Sequence, residues 1–314
     1  MAGADPATTG GAEPTGSPFF SVVITTYDRP DIVPRAVNSV FRQTYTDFEI
    51  IVVDDGSPSD ATEKVVASFD DPRIRYHRRP NGGISAGRNT GAALARGEYL
   101  VFLDDDDEVD PRWLDLFAAT VTRTSCLVAC CGLLGSDGRT ATLPKPLGPV
   151  FDGQRGLFLA GTFAVRADAF RAVGGFTDGL QCSHGTELAL RLVPYSTSQG
   201  VDVECIDEPL MLMHWVSWVR ASATPLKLLE GTQLVLEAHH ERLTRSKPLL
   251  ARYYAIAGVS AARLGRHRQA RRFLFDAVRT DPTEAKHYLR LAAACVPPVG
   301  RRVWQSSAYT ENTV

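Results

Sequence analysis

The sequence predicts an α/β fold, a mostly parallel sheet with helices on both faces, followed by a C-terminal α-helical region. Three observations carry this. Short apolar runs alternate with helix-period segments over residues 19–103, and alternation with short connections builds parallel sheets covered on both sides. From about residue 226 the strand signal stops and helical periodicity takes over. Charge divides at the same place. Residues 226–314 hold 15 Lys/Arg against 7 Asp/Glu, a balance of +8, while residues 1–225 hold 19 against 29, a balance of −10.

Each element follows in order. Residues 1–17, rich in Gly, Ala, Thr and Pro, read as a disordered leader lacking the basic and apolar regions of a secretory signal. Residues 19–24 form a first buried strand. Over 31–41, Val33, Ala36, Val37, Val40 and Phe41 share one helical face, and Asp31 is placed to cap it. Residues 48–53 are a second buried strand, ending in Asp54-Asp55-Gly56-Ser57. A helix over 59–69, a short strand at 74–77, the loop Arg79-Pro80-Asn81-Gly82-Gly83 and a helix to about 96 follow. The strand at 98–103 ends in Asp104-Asp105-Asp106-Asp107. Beyond it the pattern gives strands near 126–134 and 161–166, a Gly174-Gly175 turn and a helix near 185–193. In the tail, Gly258, Gly265, Ala270, Leu274, Ala277 and Pro282 are spaced as in one tetratricopeptide-like hairpin, about 251–284. A single repeat cannot bury its own face, so it is expected to pack on the body or on another chain. The chain thus divides into a leader (1–17), an α/β domain (18–225) and a helical extension (226–314).

Composition excludes several classes. Hydrophobic content of 44% with 22% charged residues fits a globular protein rather than a disordered one. No apolar run approaches the ~20 residues of a membrane span. The six cysteines show no Cys-x-x-Cys pair, and Cys126, Cys130 and Cys131 lie in an apolar stretch, so reduced core thiols in a cytoplasmic protein are expected. The glycine loop is neither a P-loop nor a dinucleotide fingerprint, which disfavours ATPases and NAD enzymes. Without aromatic interleaving or a reading motif, nucleic acid is not expected as a partner.

The chemistry gathers at strand ends. In open parallel sheets ligands bind beyond the carboxyl ends of the strands, and both acidic clusters lie there. Four adjacent carboxylates repel and raise one another's pKa unless a cation sits among them. Hard oxygen ligands suit Mn²⁺ or Mg²⁺, and Mg²⁺ commonly shares its shell with substrate phosphates. The simpler reading is a solvated acidic loop before the helix at Asp110-Pro111. The loop Asn81-Gly82-Gly83 likewise either admits a phosphate to its amides or only turns the chain.

Five segments in order carry a resemblance: SVVITTYDRP (21–30), SVFRQTY (39–45), EIIVVDDGS (49–57), NGGISAGRN (81–89) and GEYLVFLDDDD (97–107). Together they resemble the family-2 glycosyltransferases of GT-A (Rossmann-like) fold, densely over residues 18–125 and more thinly beyond. The resemblance implies a nucleoside-diphosphate-sugar donor, with a UDP-sugar expected. Thr25 and Tyr27 would contact the nucleoside, Asp55 would accept from the base, and Asp54 would support that loop. Gly83 would approach the donor through its backbone, and Arg88 would meet the diphosphate or fix the loop. The family's D-x-D motif maps onto Asp104-Asp105-Asp106. Asp104 and Asp105 would face the ribose or the metal, and Asp106 would ligate the metal, with His214 a candidate third ligand or an ordinary buried histidine. Arg220 is a diphosphate candidate from a neighbouring loop.

The sequence departs from the family at the base. Inversion needs a general base on the acceptor hydroxyl, usually an acid just before a helix that follows a Gly-Gly-Phe turn. Here Gly174-Gly175-Phe176 is followed by Ser183-His184-Gly185-Thr186-Glu187-Leu188, which puts His184 at that place and leaves Glu187 as the fallback. A neutral imidazole can serve as base near pH 7. The expectation is a bacterial-type, inverting hexosyltransferase acting on a glycan, a lipid-linked sugar or a small molecule. One competitor is a catalytically silent nucleotide-sugar-binding or scaffold protein acting through its tail. Another is a nucleotidyl transferase, which would release pyrophosphate. The tail's Arg263, Arg266, Arg268, Arg271, Arg272, Arg301 and Arg302 are a solvated face, or they dock the chain on a protein partner, the acidic body or the inner face of an anionic membrane.

Overall fold

A computed structural model describes residues 16–180, 182–214 and 224–296. The leader up to residue 15, Arg220, and Arg301-Arg302 lie outside the described residues. The first half runs β1 (Phe20–Thr26), α1 (Val33–Phe41), β2 (Phe48–Asp54), α2 (Ala61–Ala67), β3 (Ile74–Arg78), α3 (Ile84–Leu94), β4 (Tyr99–Asp104), β5 (Glu108–Val109) and α4 (Trp113–Thr124). Then come β6 (Val128–Gly135), β7 (Ala141–Thr142), β8 (Lys145–Pro146), β9 (Arg155–Gly156), β10 (Phe163–Arg166), α5 (Ala167–Ala172), α6 (His184–Ser198) and β11 (Glu204–Met213). Four helices close the described chain: α7 (Pro225–Leu243), α8 (Lys247–Arg263), α9 (His267–Thr280) and α10 (Ala285–Cys295).

The main sheet is ordered β3-β2-β1-β4-β10-β6-β11-β5, with β7 on the flank of β6. Its first four strands are parallel. β10 lies antiparallel to both β4 and β6, and β11 returns parallel to β6. Side chains alternate across a strand, and both faces are buried. Val22, Ile24, Ile50, Val52, Val101 and Leu103 pack under α1 and α4. Val23, Ile51, Val53, Leu100 and Phe102 form the opposite core, which also takes in α5 and α6. α3 lies close over β1 because Gly91 has no side chain; a Cβ there would stand 2.3 Å from Val23 Cγ1.

The strands expected within residues 19–103 are all present. β11 is one the sequence reading did not anticipate. Asp207-Glu208-Pro209 interrupts its apolar pattern, and its register on β6 shifts at these positions. The tail is helical as expected and packs on the body. Val235, Leu236, Leu243, Leu250 and Tyr253 share one core cluster with Leu188 and Leu192 of α6. Arg242 anchors the end of α7 by donating to the Val150 carbonyl (2.6 Å) and to Asp152 (2.7 Å). α8 and α9 form a hairpin in which Gly258 faces Leu274. None of the helices among the described residues is long and apolar enough to cross a membrane.

Candidate active site

Register brings the predicted residues to one rim. Thr25 of β1 pairs with Asp104 of β4, and Thr26 pairs with Asp54 of β2, so three parallel strands end side by side. Tyr27, just past β1, is half exposed and available at the mouth.

The acids after β2 are fully engaged by their surroundings. Asp54 is buried and accepts from the Ser57 amide (2.7 Å) and the Tyr76 hydroxyl (2.7 Å). Asp55 accepts from Arg79 and from the amides of Gly82 (3.1 Å) and Gly83 (2.7 Å). The amides of the glycine loop, for which the sequence allows either a phosphate or a plain turn, are here held by a carboxylate of the protein itself. The Asn81 side chain completes the lock on the Asp55 carbonyl.

The acids after β4 are arranged differently. Asp104 is 35% exposed and accepts from Arg88 Nη2 at 2.6 Å. Arg88 is buried and lies over the Phe176 ring, its guanidinium carbon 5.3 Å from the ring centroid. Asp105 is buried, accepting from the Thr26 hydroxyl (2.7 Å) and Arg29 Nη1 (2.9 Å). Burial pushes its carboxyl up to about 6 against the lowering by Thr26 and Arg29. Asp106 shares Arg29 at 3.2 Å and is partly exposed. Three buried polar atoms next to this rim have no partner: Thr25 Oγ1, Ser85 Oγ and Arg88 Nε. Ser85 and Arg88 sit three apart on α3, hence on one face. Buried polar groups are rarely left unpaired, and two of these residues meet Asp104, Thr25 by strand register and Arg88 by its hydrogen bond.

His214 follows β11. Its ring Nε2 meets Glu108 at 2.9 Å, and its amide donates to Asp107 at 2.9 Å, so the ring pairs with Glu108 and not with Asp104 or Asp106.

α6 carries both base candidates in its first turn. His184 Nε2 lies 2.8 Å from the Leu180 carbonyl oxygen. A carbonyl only accepts, so Nε2 bears the proton and Nδ1 keeps the lone pair. Burial, aided by the Arg88 cation, lowers the His184 pKa to about 4, so the ring is neutral near pH 7. Glu187, three residues on, is fully engaged by the protein. It accepts from Thr177 (2.8 Å), Arg191 Nε (2.8 Å) and His239 Nε2 of α7 (2.9 Å). Burial raises its carboxyl, but the bonds from His239 and Arg191 outweigh that and hold it near 2. With its lone pairs so used, it is placed as a structural anion.

The comparisons with known proteins agree with this geometry. Residues 21–176 match the model of the family described as "Glycosyl transferase family 2". This segment is a family-2 glycosyltransferase domain. The fold is GT-A, as solved relatives bear out: S. aureus TarS 1-349 in complex with UDP-GlcNAc superposes with a TM-score of 0.67 at 18% identity, covering 91% of this chain and 90% of that one. The mannosyltransferase PcManGT from Pyrobaculum calidifontis, in complex with GDP-Man and Mn2+, gives 0.56 at 14% identity over 95% and 90%. Among curated relatives, Escherichia coli WcaA is 42% identical over 105 residues, 33% of this chain and 38% of its own length. The Campylobacter jejuni GalNAc(5)-diNAcBac-PP-undecaprenol beta-1,3-glucosyltransferase is 42% identical over 96 residues, 29% and 31%. The chain thus spans well under half the length of either.

Within this family-2 domain the structure brings together Thr25, Arg88, Asp104, Asp105 and Asp106, with His184 close enough to feel both Arg88 and Asp104. It turns Asp55 to Gly83, Asp54 to Ser57 and Tyr76, and Glu187 to Thr177, Arg191 and His239 of the tail. Sequence reasoning gave no role to Arg29, Thr26 or Ser85. The one signal for Arg29 is a lone cation in the turn after β1, opposite an acidic run.

Proposed function

We propose that this chain transfers a sugar from a nucleoside-diphosphate donor, a UDP-sugar, to an acceptor hydroxyl with inversion. The observation that carries the reading is the β4 rim, where partly exposed Asp104 and Asp106 meet Arg88 and Arg29, and Thr25 Oγ1 and Arg88 Nε are buried without a partner. UDP-GlcNAc in the TarS complex and GDP-Man in PcManGT support a nucleotide-sugar donor. Tyr27 would stack on the base, Thr25 and Asp105 would line the ribose side, and Arg88 would move from Asp104 toward the diphosphate. Asp54, Asp55 and Gly83 would hold the wall of the nucleoside pocket.

The residues fit a shared cation rather than a caged one. No group of three or more His, Cys, Asp or Glu among the described residues closes on a metal, and Mg²⁺-type ions are often held by one or two carboxylates plus phosphates. Asp104 and Asp106 would hold it; His214, paired with Glu108, would approach only by leaving that partner. Bound Mn²⁺ or Mg²⁺ would neutralise charge on the leaving diphosphate. His184 would take the acceptor proton at Nδ1 as the hydroxyl attacks the anomeric carbon. The donor's negative charge would offset Arg88 and raise the base toward working pH.

The acceptor class is a glycan, a lipid-linked sugar or a small molecule; the undecaprenol-linked acceptor named for the Campylobacter relative favours the lipid-linked class. We read α8 and α9 as one tetratricopeptide-like unit, and the chain as cytoplasmic. A second reading, a silent nucleotide-sugar-binding protein, is favoured by a histidine standing where the family carries an acid. Incubation with UDP- and GDP-sugars and Mn²⁺ or Mg²⁺, with release of nucleoside diphosphate as readout, decides between them. Release abolished in His184→Ala supports the enzyme. Binding detected by thermal shift without any release supports the silent protein.

A further inference from the structure

The segment that carries His184 is backed along its length by the first helix of the tail. The Cys182 thiol, two residues before His184, donates to the Lys227 carbonyl of α7 at 3.7 Å. One turn on, a Cβ at Gly231 would lie 2.6 Å from Cys182 Sγ and 3.4 Å from Leu180 Cδ1, so α7 and this segment are in direct contact. Leu180 is the residue whose carbonyl fixes the His184 proton on Nε2. Three residues after His184, Glu187 accepts from His239 of α7 at 2.9 Å, both side chains being nearly buried. At His239 the backbone leaves helical geometry (φ −125°, ψ 16°), so α7 bends where this bond is made. Glu187 is ionised, so it is the His239 ring that donates.

We infer that His239 is a positioning residue: the tail sets the first turn of α6, and with it the aim and tautomer of His184, through the His239–Glu187 hydrogen bond. This rests on reading His184 as the base. A carboxylate held by three side-chain partners resists rotation of the turn that carries it, and removal of one leaves a buried acceptor partly unsatisfied. Thr177 and Arg191 hold the same carboxylate to the body, and Arg191 also donates to the Gly175 carbonyl (2.7 Å) in the turn under Arg88. His239 is the partner contributed by the tail. The helical extension is then a wall of the catalytic site, not an appendage to it.

The test is nitrogen-15 NMR of the full chain labelled at histidine, which reports ring tautomers without donor or acceptor. In the wild type, His184 is expected as a single Nε2–H tautomer. In His239→Ala its ring nitrogen shifts move toward the tautomer average, while His239→Gln, which keeps a side-chain N–H donor, restores the wild-type pattern. Gly231→Ala, which presses on Cys182 with the His239–Glu187 bond intact, perturbs the same signals and guards against a His239→Ala chain that fails to fold. Where a donor turns over, His239→Ala lowers kcat about 10- to 100-fold, the scale of a slight misplacement, with UDP affinity within twofold of wild type. Unchanged His184 signals in a folded His239→Ala chain overturn the inference whatever Gly231→Ala does, and so does a perturbed pattern in His239→Gln equal to that of His239→Ala. Full turnover in His184→Ala overturns the base reading instead, so the two failures are distinguishable.

Discussion

The two acidic clusters at the ends of β2 and β4 look alike in sequence and differ in what surrounds them. After β2, Asp54 and Asp55 are enclosed, their oxygens engaged by Ser57, Tyr76, Arg79 and the Gly82 and Gly83 amides. After β4, Asp104 and Asp106 are partly exposed and meet long-range arginines, with unpartnered polar atoms beside them. The first cluster spends its charge holding a loop, and the second keeps its charge available. α6 repeats the contrast one turn apart: Glu187 has its lone pairs used, and His184 keeps one free.

That contrast can be broken or sharpened by substitution. The largest effect is expected at the open side chain of α6. His184→Ala should lower kcat about 10²–10⁴-fold, the usual weight of a general base, with UDP affinity unchanged by calorimetry. Its enclosed neighbour should behave oppositely in kind. Glu187→Ala takes the ion-pair partner from Arg191 and the acceptor from His239 and should cost about 3–5 kcal/mol of stability, read as a lower midpoint in urea. At the open cluster, Asp104→Asn should reduce activity about 10- to 100-fold, as for groups that tune a metal site, with melting unchanged. Asp54→Ala should act first on stability, costing about 1–3 kcal/mol for stranding the Tyr76 hydroxyl and the Ser57 amide, read as a lower melting midpoint. The smallest effect is on pH. His184 must be neutral to act, and its pKa is near 4 before donor binds. His184 should therefore add no limb to kcat/KM as pH falls from 8 to about 5, where Asp105, pushed up to about 6, is the group that titrates. A limb in that range that persists in Asp105→Asn would count against a buried His184 beside Arg88.

Much of this was legible in the sequence because it is local. Strands β1, β2 and β4 are apolar runs that end in polar residues, and such ends fall on one rim in a parallel sheet. What was not legible is long-range pairing. Arg29 meets Asp105 across 76 residues, and His239 meets Glu187 across 52; no periodicity encodes either. The sequence leaves Gly82 and Gly83 open between a phosphate cradle and a plain turn, because spacing does not reveal that Asp55 reaches their amides. β11 was hidden because Asp207-Glu208-Pro209 breaks its apolar pattern, and with it the placing of His214 on Glu108.

The most direct test of the account is a calorimetric titration of UDP, with Mn²⁺ present, into the wild-type chain and Asp104→Asn. The account predicts measurable binding to the wild type and a dissociation constant raised about 10- to 100-fold in the variant, with both proteins melting alike. Equal affinity in the two would contradict it, because the open rim after β4 would then not be where the donor is held.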